Sequence, residues 1–214
     1  MNILEKIIAR KAKEVVSSKL LVPTQILEAS PYFNTKVNSL SKAILDAPKF
    51  GIIAEHKRKS PSKGIINDQL ELEFIVDGYV EAECIGLSIL TDTPFFGGSY
   101  LDLMLARKTA TNTPIIRKDF IIDPYQILEA RAWGADVVLL IAANLTVAKC
   151  NELAKLAQSL GLETLLEVHS REEIKKYLND NINMVGVNNR DLKTFEVSID
   201  ISIQLVDYIP NHIP

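Results

Sequence analysis

Cysteine and histidine, the residues that build disulfide frameworks and most zinc sites, are scarce in this chain. Its 214 residues include two cysteines, Cys84 and Cys150, which have no CxxC spacing, and three histidines, which lie far apart. A disulfide framework and a metal-ligand cluster are therefore not expected. The sequence predicts two packed thiols and no metal site.

Long apolar runs and an excess of one charge are also missing. No segment approaches the roughly 20 apolar residues that a membrane-spanning helix needs, and the first ten residues carry Glu5 without a continuous apolar core, which argues against a secretory signal. The formal charge of -3 and pI near 5.7, with the two signs interspersed, give no broad basic surface. We expect a cytoplasmic protein with no nucleic-acid partner and no membrane partner.

The composition, 47% hydrophobic and 24% charged, is typical of one globular domain over residues 1–214. Residues 1–48 predict a helical extension: an amphipathic helix that ends near Leu20, a short one that begins at Pro23-Thr24, and a third over 39–45. Over 49–214 short apolar runs alternate with helical patterns, which predicts six βα units. The runs span residues 51–55, 86–90, 115–118, 137–141, 164–167 and 184–188.

Parallel strands joined by helices form either a doubly wound sheet or a (β/α)8 TIM barrel. The barrel is favoured because polar residues end several successive strands and no GxGxxG follows the first one. These residues are Glu55, Lys57, Asp92, Lys118, Glu167 and Asn188. A barrel needs eight units and about 250 residues, so the α/β fold is predicted to be truncated after the sixth βα unit.

Glu55 and Lys57 lie two residues apart on the first predicted strand, so their side chains point to the same face. The strand begins with apolar residues, which suggests burial, and opposite charges on a buried strand are costly unless each has a partner or a ligand. The pair therefore predicts an enclosed chemical site, followed by a compact polar loop.

Five motifs follow in order, each at a predicted strand end. They are IAEHKRKSPS at 53–62, LTDTPFFGGS at 90–99, RKDFI at 117–121, LEVH at 166–169 and VNNRDL at 187–192. Through them the chain resembles the indole-3-glycerol phosphate synthase family of tryptophan biosynthesis, TIM barrels with an N-terminal helical extension. The resemblance implies ring closure, decarboxylation and dehydration of 1-(2-carboxyphenylamino)-1-deoxyribulose 5-phosphate, a phosphorylated small molecule, with no cofactor and no metal.

The resemblance implies roles for four charged residues. Lys118 is the general acid that activates the ketone, and Glu167 is the acid/base partner for dehydration. Glu55 orients the lysines, with a share in the dehydration step left open, while Lys57 contacts the anionic groups of the substrate. The resemblance thus assigns the catalytic set Lys118, Glu167, Glu55 and Lys57.

Five further residues are implied to bind substrate. Ser60 contacts the phosphate, Phe96 and Phe120 line the anthranilate pocket, and Asn188 meets a hydroxyl or the carboxylate. Arg190 is either a substrate contact or a salt-bridging support. His56, which alternation turns away from Glu55, is expected to pack between strand and helix, and His169 to begin a loop or helix. An acid/base role for His169 stays open.

Two other functions stay open: a phosphoribosylanthranilate isomerase-like phosphate-binding barrel, and a non-catalytic barrel remnant that serves as a partner surface. If the barrel lacks two units, the chain alone is expected to be inactive or weakly active. Its unpaired strand edges would then favour self-association. The sequence leaves the oligomeric state undetermined.

Overall fold

The fold is a parallel sheet whose six strands follow one another in chain order. The computed structural model describes residues 2–48, 50–190 and 196–214; the Asp191-Leu192 end of the last motif lies outside them. The strands are β1 (Ile53–His56), β2 (Gly86–Leu90), β3 (Ile115–Lys118), β4 (Val137–Ile141), β5 (Glu163–Val168) and β6 (Met184–Val187). Every neighbouring pair is parallel.

Helices precede the sheet and connect its strands. The extension forms α1 (Ile3–Leu21), α2 (Thr24–Glu28) and α3 (Leu40–Asp46). The connecting helices are α4 (Leu72–Glu81), α5 (Thr93–Phe96), α6 (Tyr100–Thr109), α7 (Pro124–Ala132), α8 (Val147–Ser159) and α9 (Arg171–Tyr177), and α10 (Asp200–Leu205) follows β6. Single 3-10 turns span Ala142–Asn144 and Val206–Tyr208, and a short antiparallel hairpin pairs Lys59–Ser60 with Gly64–Ile65.

Strand β4 shows why the sheet is covered on both faces. All five of its residues are buried, and alternation divides them between two apolar clusters. Leu139 and its inward neighbours pack with Ile116 of β3 and Met184 of β6 around Leu40. Val138 and Leu140 pack outward against the connecting helices. An inner cluster that gathers residues from separated strands fits a curled sheet of the α/β barrel type.

Helix α3 closes the amino-terminal end of the curled sheet. Glu163, the first residue of β5, accepts hydrogen bonds from the hydroxyls of Ser39 and Ser41 at 2.6 Å and from the backbone N–H groups of Leu40 at 2.8 Å and Ser41 at 3.0 Å. A negative charge at a helix N-terminus is favourable. Leu40 is fully buried, and a methyl group added to Gly86 would meet its side chain at 2.6 Å.

Helix α1 contacts the opposite end, where the strands finish. A capping box between Asn2 and Glu5 begins the helix. Further along, Lys11 forms ion pairs with carboxylates that follow β2 and β3, and Lys19 pairs with Asp123 at 2.8 Å. The extension therefore holds the sheet at both ends.

The structure confirms the predicted strands to within one or two residues and the three helices of the extension. After β6, residues 200–208 form α10 followed by a 3-10 turn. Ser60 to Gly64, expected to form a compact loop, lies in the hairpin. Both thiols are free, and no helix in the described part of the chain is long and apolar enough to cross a membrane.

Candidate active site

The carboxylate of Glu167 lies at the centre of a polar cluster where three strands end. Lys118, the last residue of β3, places its Nζ 3.3 Å from Glu167 Oε2. Asn188, just after β6, donates from Nδ2 to Glu167 Oε1 at 2.9 Å. Each carboxylate oxygen therefore has its own donor. An ammonium and a carboxylate in contact can exchange a proton with a ligand held between them.

A second ion pair lies at the end of β1. Lys57 Nζ is 2.5 Å from Glu55 Oε1, and Ser88 of β2 donates to Glu55 Oε2 at 3.3 Å. Both side chains of the pair are 32% exposed, so the site that the sequence predicts is only partly enclosed. The contact agrees with the prediction that both residues point to one face. In the described contacts Glu55 pairs with Lys57, whereas Lys118 pairs with Glu167.

One cavity of about 380 Å³ brings the predicted site residues together. Eight of the nine line it: Lys57, Ser60, Phe96, Lys118, Phe120, Glu167, Asn188 and Arg190. The ninth, Glu55, lines an adjoining space of about 90 Å³ that also touches Lys57, Lys118 and both phenylalanines. The sequence thus predicted residues that share one concave site.

The cavity lining includes both aromatic rings and cations. The rings of Phe96 and Phe120 pack with their centroids 5.9 Å apart and their planes tilted by 35°. Lys57, Lys63 and Arg190 supply positive charge, and Arg190 Nη1 donates to Ser62 Oγ at 3.3 Å. Such a cavity suits a ligand with a flat apolar part and one or more anionic groups.

Helix α1 supplies a wall of the cavity that the sequence analysis did not identify. Ile3, Leu4 and Ile7 line it, and Ile7 is 3% exposed. Their spacing places them on one helix face. The apolar stripe was visible in the sequence, but the pattern gave no sign of which surface the stripe covers.

Behind the cavity lies a buried network centred on Asp119, which follows Lys118. Asp119 Oδ1 is 2.9 Å from Lys11 Nζ, and Asp119 Oδ2 accepts from Thr91 Oγ1 at 2.6 Å and from Arg117 Nη2 at 3.1 Å. Burial alone would raise the pKa of Asp119, but the cations of Lys11 and Arg117 outweigh it and lower this pKa to about 2. The carboxylate is therefore ionised at neutral pH.

Lys11, which joins this network from α1, is a further residue that the sequence analysis missed. Burial would lower its pKa, yet the carboxylates of Asp119, Asp92 and Glu14 outweigh burial and raise the pKa above its ordinary value. Its position was a usable signal, because a lysine at the four-residue spacing between Ile7 and Val15 falls on the buried face of α1.

The two strand-end histidines and Asp92 lie away from the cavity lining. His56 is 5% exposed, and burial followed by the charge of Arg58 lowers its pKa. His169 precedes α9 and donates its backbone N–H to Glu173 at 2.6 Å. Asp92, predicted at the rim, caps α5 by accepting from Phe95 N at 2.8 Å. In the described residues no His, Cys, Asp and Glu cluster has the geometry of a metal site.

Comparison with known proteins places this arrangement in a family. The profile of indole-3-glycerol phosphate synthase matches residues 4–213. An indole-3-glycerol phosphate synthase from Bacteroides thetaiotaomicron is 47% identical over 209 residues, which covers 98% of this chain and 79% of that protein. One from Bordetella pertussis is 41% identical over 212 residues, covering 98% and 80%.

A solved structure supports the fold independently of sequence. The truncated form of 3-deoxy-D-arabino-heptulosonate 7-phosphate synthase from Thermotoga maritima superposes with a TM-score of 0.51 at 17% identity, covering 77% of this chain and 62% of that one. At that identity the likeness concerns the fold alone. Together with the curled parallel sheet, it supports the α/β barrel class.

Proposed function

This chain belongs to the indole-3-glycerol phosphate synthase family, and from that premise we propose that it converts 1-(2-carboxyphenylamino)-1-deoxyribulose 5-phosphate to indole-3-glycerol phosphate. The enzyme is then a carbon-carbon lyase of tryptophan biosynthesis. The observation that carries the proposal is the contact of Lys118 and Asn188 with Glu167 at a cavity whose lining also includes two aromatic rings and further cations.

The proposed chemistry begins at the ketone of the substrate. Lys118 donates a proton to the ketone oxygen while the ring carbon that bears the carboxyl group attacks the ketone carbon, which forms the new carbon-carbon bond. Loss of carbon dioxide restores the aromatic ring. The hydroxyl group then leaves as water with a proton from an acid, and the neighbouring ring carbon loses a proton, which forms the double bond of the indole; Glu167, in contact with Lys118, is the acid/base group for this step. These steps require no cofactor.

The apolar and the charged lining residues are proposed to bind different parts of the substrate. Phe96 and Phe120 hold the anthranilate ring between apolar surfaces, and Lys57, which Glu55 orients, meets the anionic groups. Ser60 contacts the phosphate together with its hairpin, and Lys63 adds positive charge there.

The two remaining binding residues, Asn188 and Arg190, are polar lining residues of the cavity. Asn188 has a free side-chain oxygen lone pair beyond its bond to the Arg190 backbone N–H at 3.0 Å, so it can also meet a substrate hydroxyl or the carboxylate. Arg190 donates to Ser62 Oγ, in the loop that follows β1. We propose that it supports the loop and neutralises the ligand.

Two finer predictions remain proposals, an eight-unit barrel of which this chain carries six units and a cytoplasmic location. The alternative expectation, weak or no turnover by this chain alone, is the opposing outcome of the activity test below. β1 and β6 are the edge strands of the described sheet, because each pairs with one neighbouring strand. Sedimentation at several protein concentrations tests whether copies of the chain associate through these edges.

The experiment that tests the function measures carbon dioxide release and indole product from the purified chain. Lys118→Met keeps the length of the side chain but removes the ammonium, and it is expected to lower turnover by several powers of ten. Lys155→Met, at an exposed position of α8, is the matched control and is expected to leave turnover unchanged.

Each competing function gives a different result. An isomerase would convert phosphoribosylanthranilate without releasing carbon dioxide. A non-catalytic remnant would convert neither substrate, and Lys118→Met would then change nothing. Either result would contradict the proposed activity.

A further inference from the structure

Lys11 of α1 is a buried cation shared by three carboxylates. Its side chain is 1% exposed, and its Nζ lies 2.9 Å from Asp119, 3.1 Å from Asp92 and 3.1 Å from Glu14. Asp92 and Asp119 are also buried, with side chains 1% and 0% exposed. In the described residues Asp92 Oδ2 has no hydrogen-bond partner, so the Lys11 ammonium is the group that compensates it.

The two buried carboxylates control different walls of the cavity. Asp92 caps α5 through Phe95 N, and α5 ends at Phe96. Asp119 directly follows Lys118 and accepts the backbone N–H of Phe120 at 2.8 Å. Through these carboxylates one ammonium contacts the segment after β2 and the segment after β3.

Lys11 also belongs to the third wall. It lies four residues after Ile7, and both side chains are buried on the same face of α1. Ile7 lines the cavity and Lys11 does not. The ammonium therefore lies behind the wall and is not in the space that a ligand would fill.

We propose that Lys11 is a positioning residue, which sets the register of α1 against the Phe96 segment and the Lys118–Phe120 segment and so fixes the shape of the substrate cavity. The proposal rests on the proposed function for its kinetic consequences. Its structural content, that one ammonium couples three walls, is independent of that function.

The positive charge of Lys11, and not only the length of its side chain, is needed beside the buried carboxylates. An apolar side chain of similar length would fill the space but leave the buried Asp92 with no cation among the described residues and Asp119 with Arg117 alone, and such groups move toward water or distort their surroundings. Movement of the Asp119 backbone would carry Lys118 and Phe120 with it, because they are its chain neighbours. A displacement of about 1 Å in a reacting group can cost about 100-fold in rate.

The test compares Lys11→Met with Lys13→Met. Lys13 is an exposed lysine of the same helix, so the second variant makes the same chemical change without touching the network. For Lys11→Met we expect kcat/KM, corrected for the folded fraction, to fall by about 10- to 100-fold, with a rise in KM and a fall in kcat. For Lys13→Met we expect wild-type values. Equal constants in the two variants would overturn the proposal.

Amide hydrogen exchange gives a readout that does not depend on activity. Lys11→Met is expected to exchange faster than Lys13→Met in residues 3–8, 91–98 and 119–123 together, because the ammonium couples all three segments. Faster exchange in residues 3–8 alone would overturn the coupling. If the wild-type chain had no synthase activity, the proposed function would fail, while the exchange pattern would still decide the positioning role.

A double variant separates positioning from folding. Asp92→Asn keeps a side-chain oxygen that can cap α5 and removes the carboxylate charge that Lys11→Met leaves without its cation. In Lys11→Met/Asp92→Asn we therefore expect the melting temperature to rise above that of Lys11→Met while kcat/KM stays low. Recovery of kcat/KM in step with the melting temperature would show that Lys11 acts only on stability and would overturn the proposal.

Discussion

Asp119→Asn is the substitution whose effect on stability can be worked out most directly. The carboxylate of Asp119 is fully buried, and its pKa is about 2 against an ordinary value of 3.8. Since the folded-state pKa is depressed, the associated stability is fully present above pH 3.8 and is lost as the pH falls through 2. At 1.36 kcal/mol per pKa unit, the contribution is about 2 kcal/mol. About half of it, roughly 1 kcal/mol, should be lost by pH 3.

The assay is urea unfolding at pH 7, 5, 4 and 3, followed by the fluorescence of Trp133, the lone tryptophan, whose ring lies 4.4 Å from the Arg117 guanidinium carbon. The free energy of unfolding of the wild type minus that of Asp119→Asn should shrink by about 1 kcal/mol from pH 7 to pH 3. Asp46→Asn makes the same change in net charge at an exposed position of α3. A difference between wild type and Asp119→Asn that stays constant, or grows, as the pH falls would refute the reasoning.

Three other substitutions probe separate parts of the fold. Gly98→Ala would place a methyl group 2.0 Å from the carbonyl oxygen at the end of β2, so it should lower the melting temperature. Its control is Gly78→Ala in α4, where a methyl group meets open space. That substitution should raise the free energy of unfolding by about 0.5–1 kcal/mol. Glu163→Gln weakens the acceptor of four hydrogen bonds at the closed end. It should cost about 1–3 kcal/mol in urea unfolding while kcat/KM is unchanged, and a loss of turnover in folded protein would contradict that separation. Asn188→Ala removes a donor to Glu167, the proposed acid/base group, and should lower kcat at least about tenfold; wild-type kcat would argue against its role.

The sheet could be predicted from sequence because its strands are short apolar runs that end in polar residues. Val137–Ile141 is apolar at every position, as its burial on both faces requires, and polar residues lie at or just after the ends of the other five strands. Residues at the carboxyl ends of successive parallel strands must lie along one edge. For that reason Lys118, Glu167 and Asn188 could be grouped before any distance was known.

Contacts between the extension and the sheet could not be predicted in the same way. Periodicity shows that α1 has a buried face, but it does not show which surface covers that face. The partners of Lys11 follow β2 and β3, far along the chain, and a lysine on an amphipathic helix is usually solvated. The pairing of the hairpin Lys59–Ser60 with Gly64–Ile65 likewise depends on two-residue strands, which are too short for a period to be visible.

The extension contacts both ends of the sheet, and these contacts bear on the order in which the parts of the chain fold. Ser39 is separated from Glu163 by 124 positions, and Lys19 from Asp123 by 104. Contacts between such distant positions form late, because the long intervening loop has to close first. The helical extension, although it precedes the sheet in the chain, is therefore among the last segments to dock. Refolding experiments should find native-like strand signals before the wall formed by Ile3, Leu4 and Ile7 is in place, and catalytic competence should lag behind both.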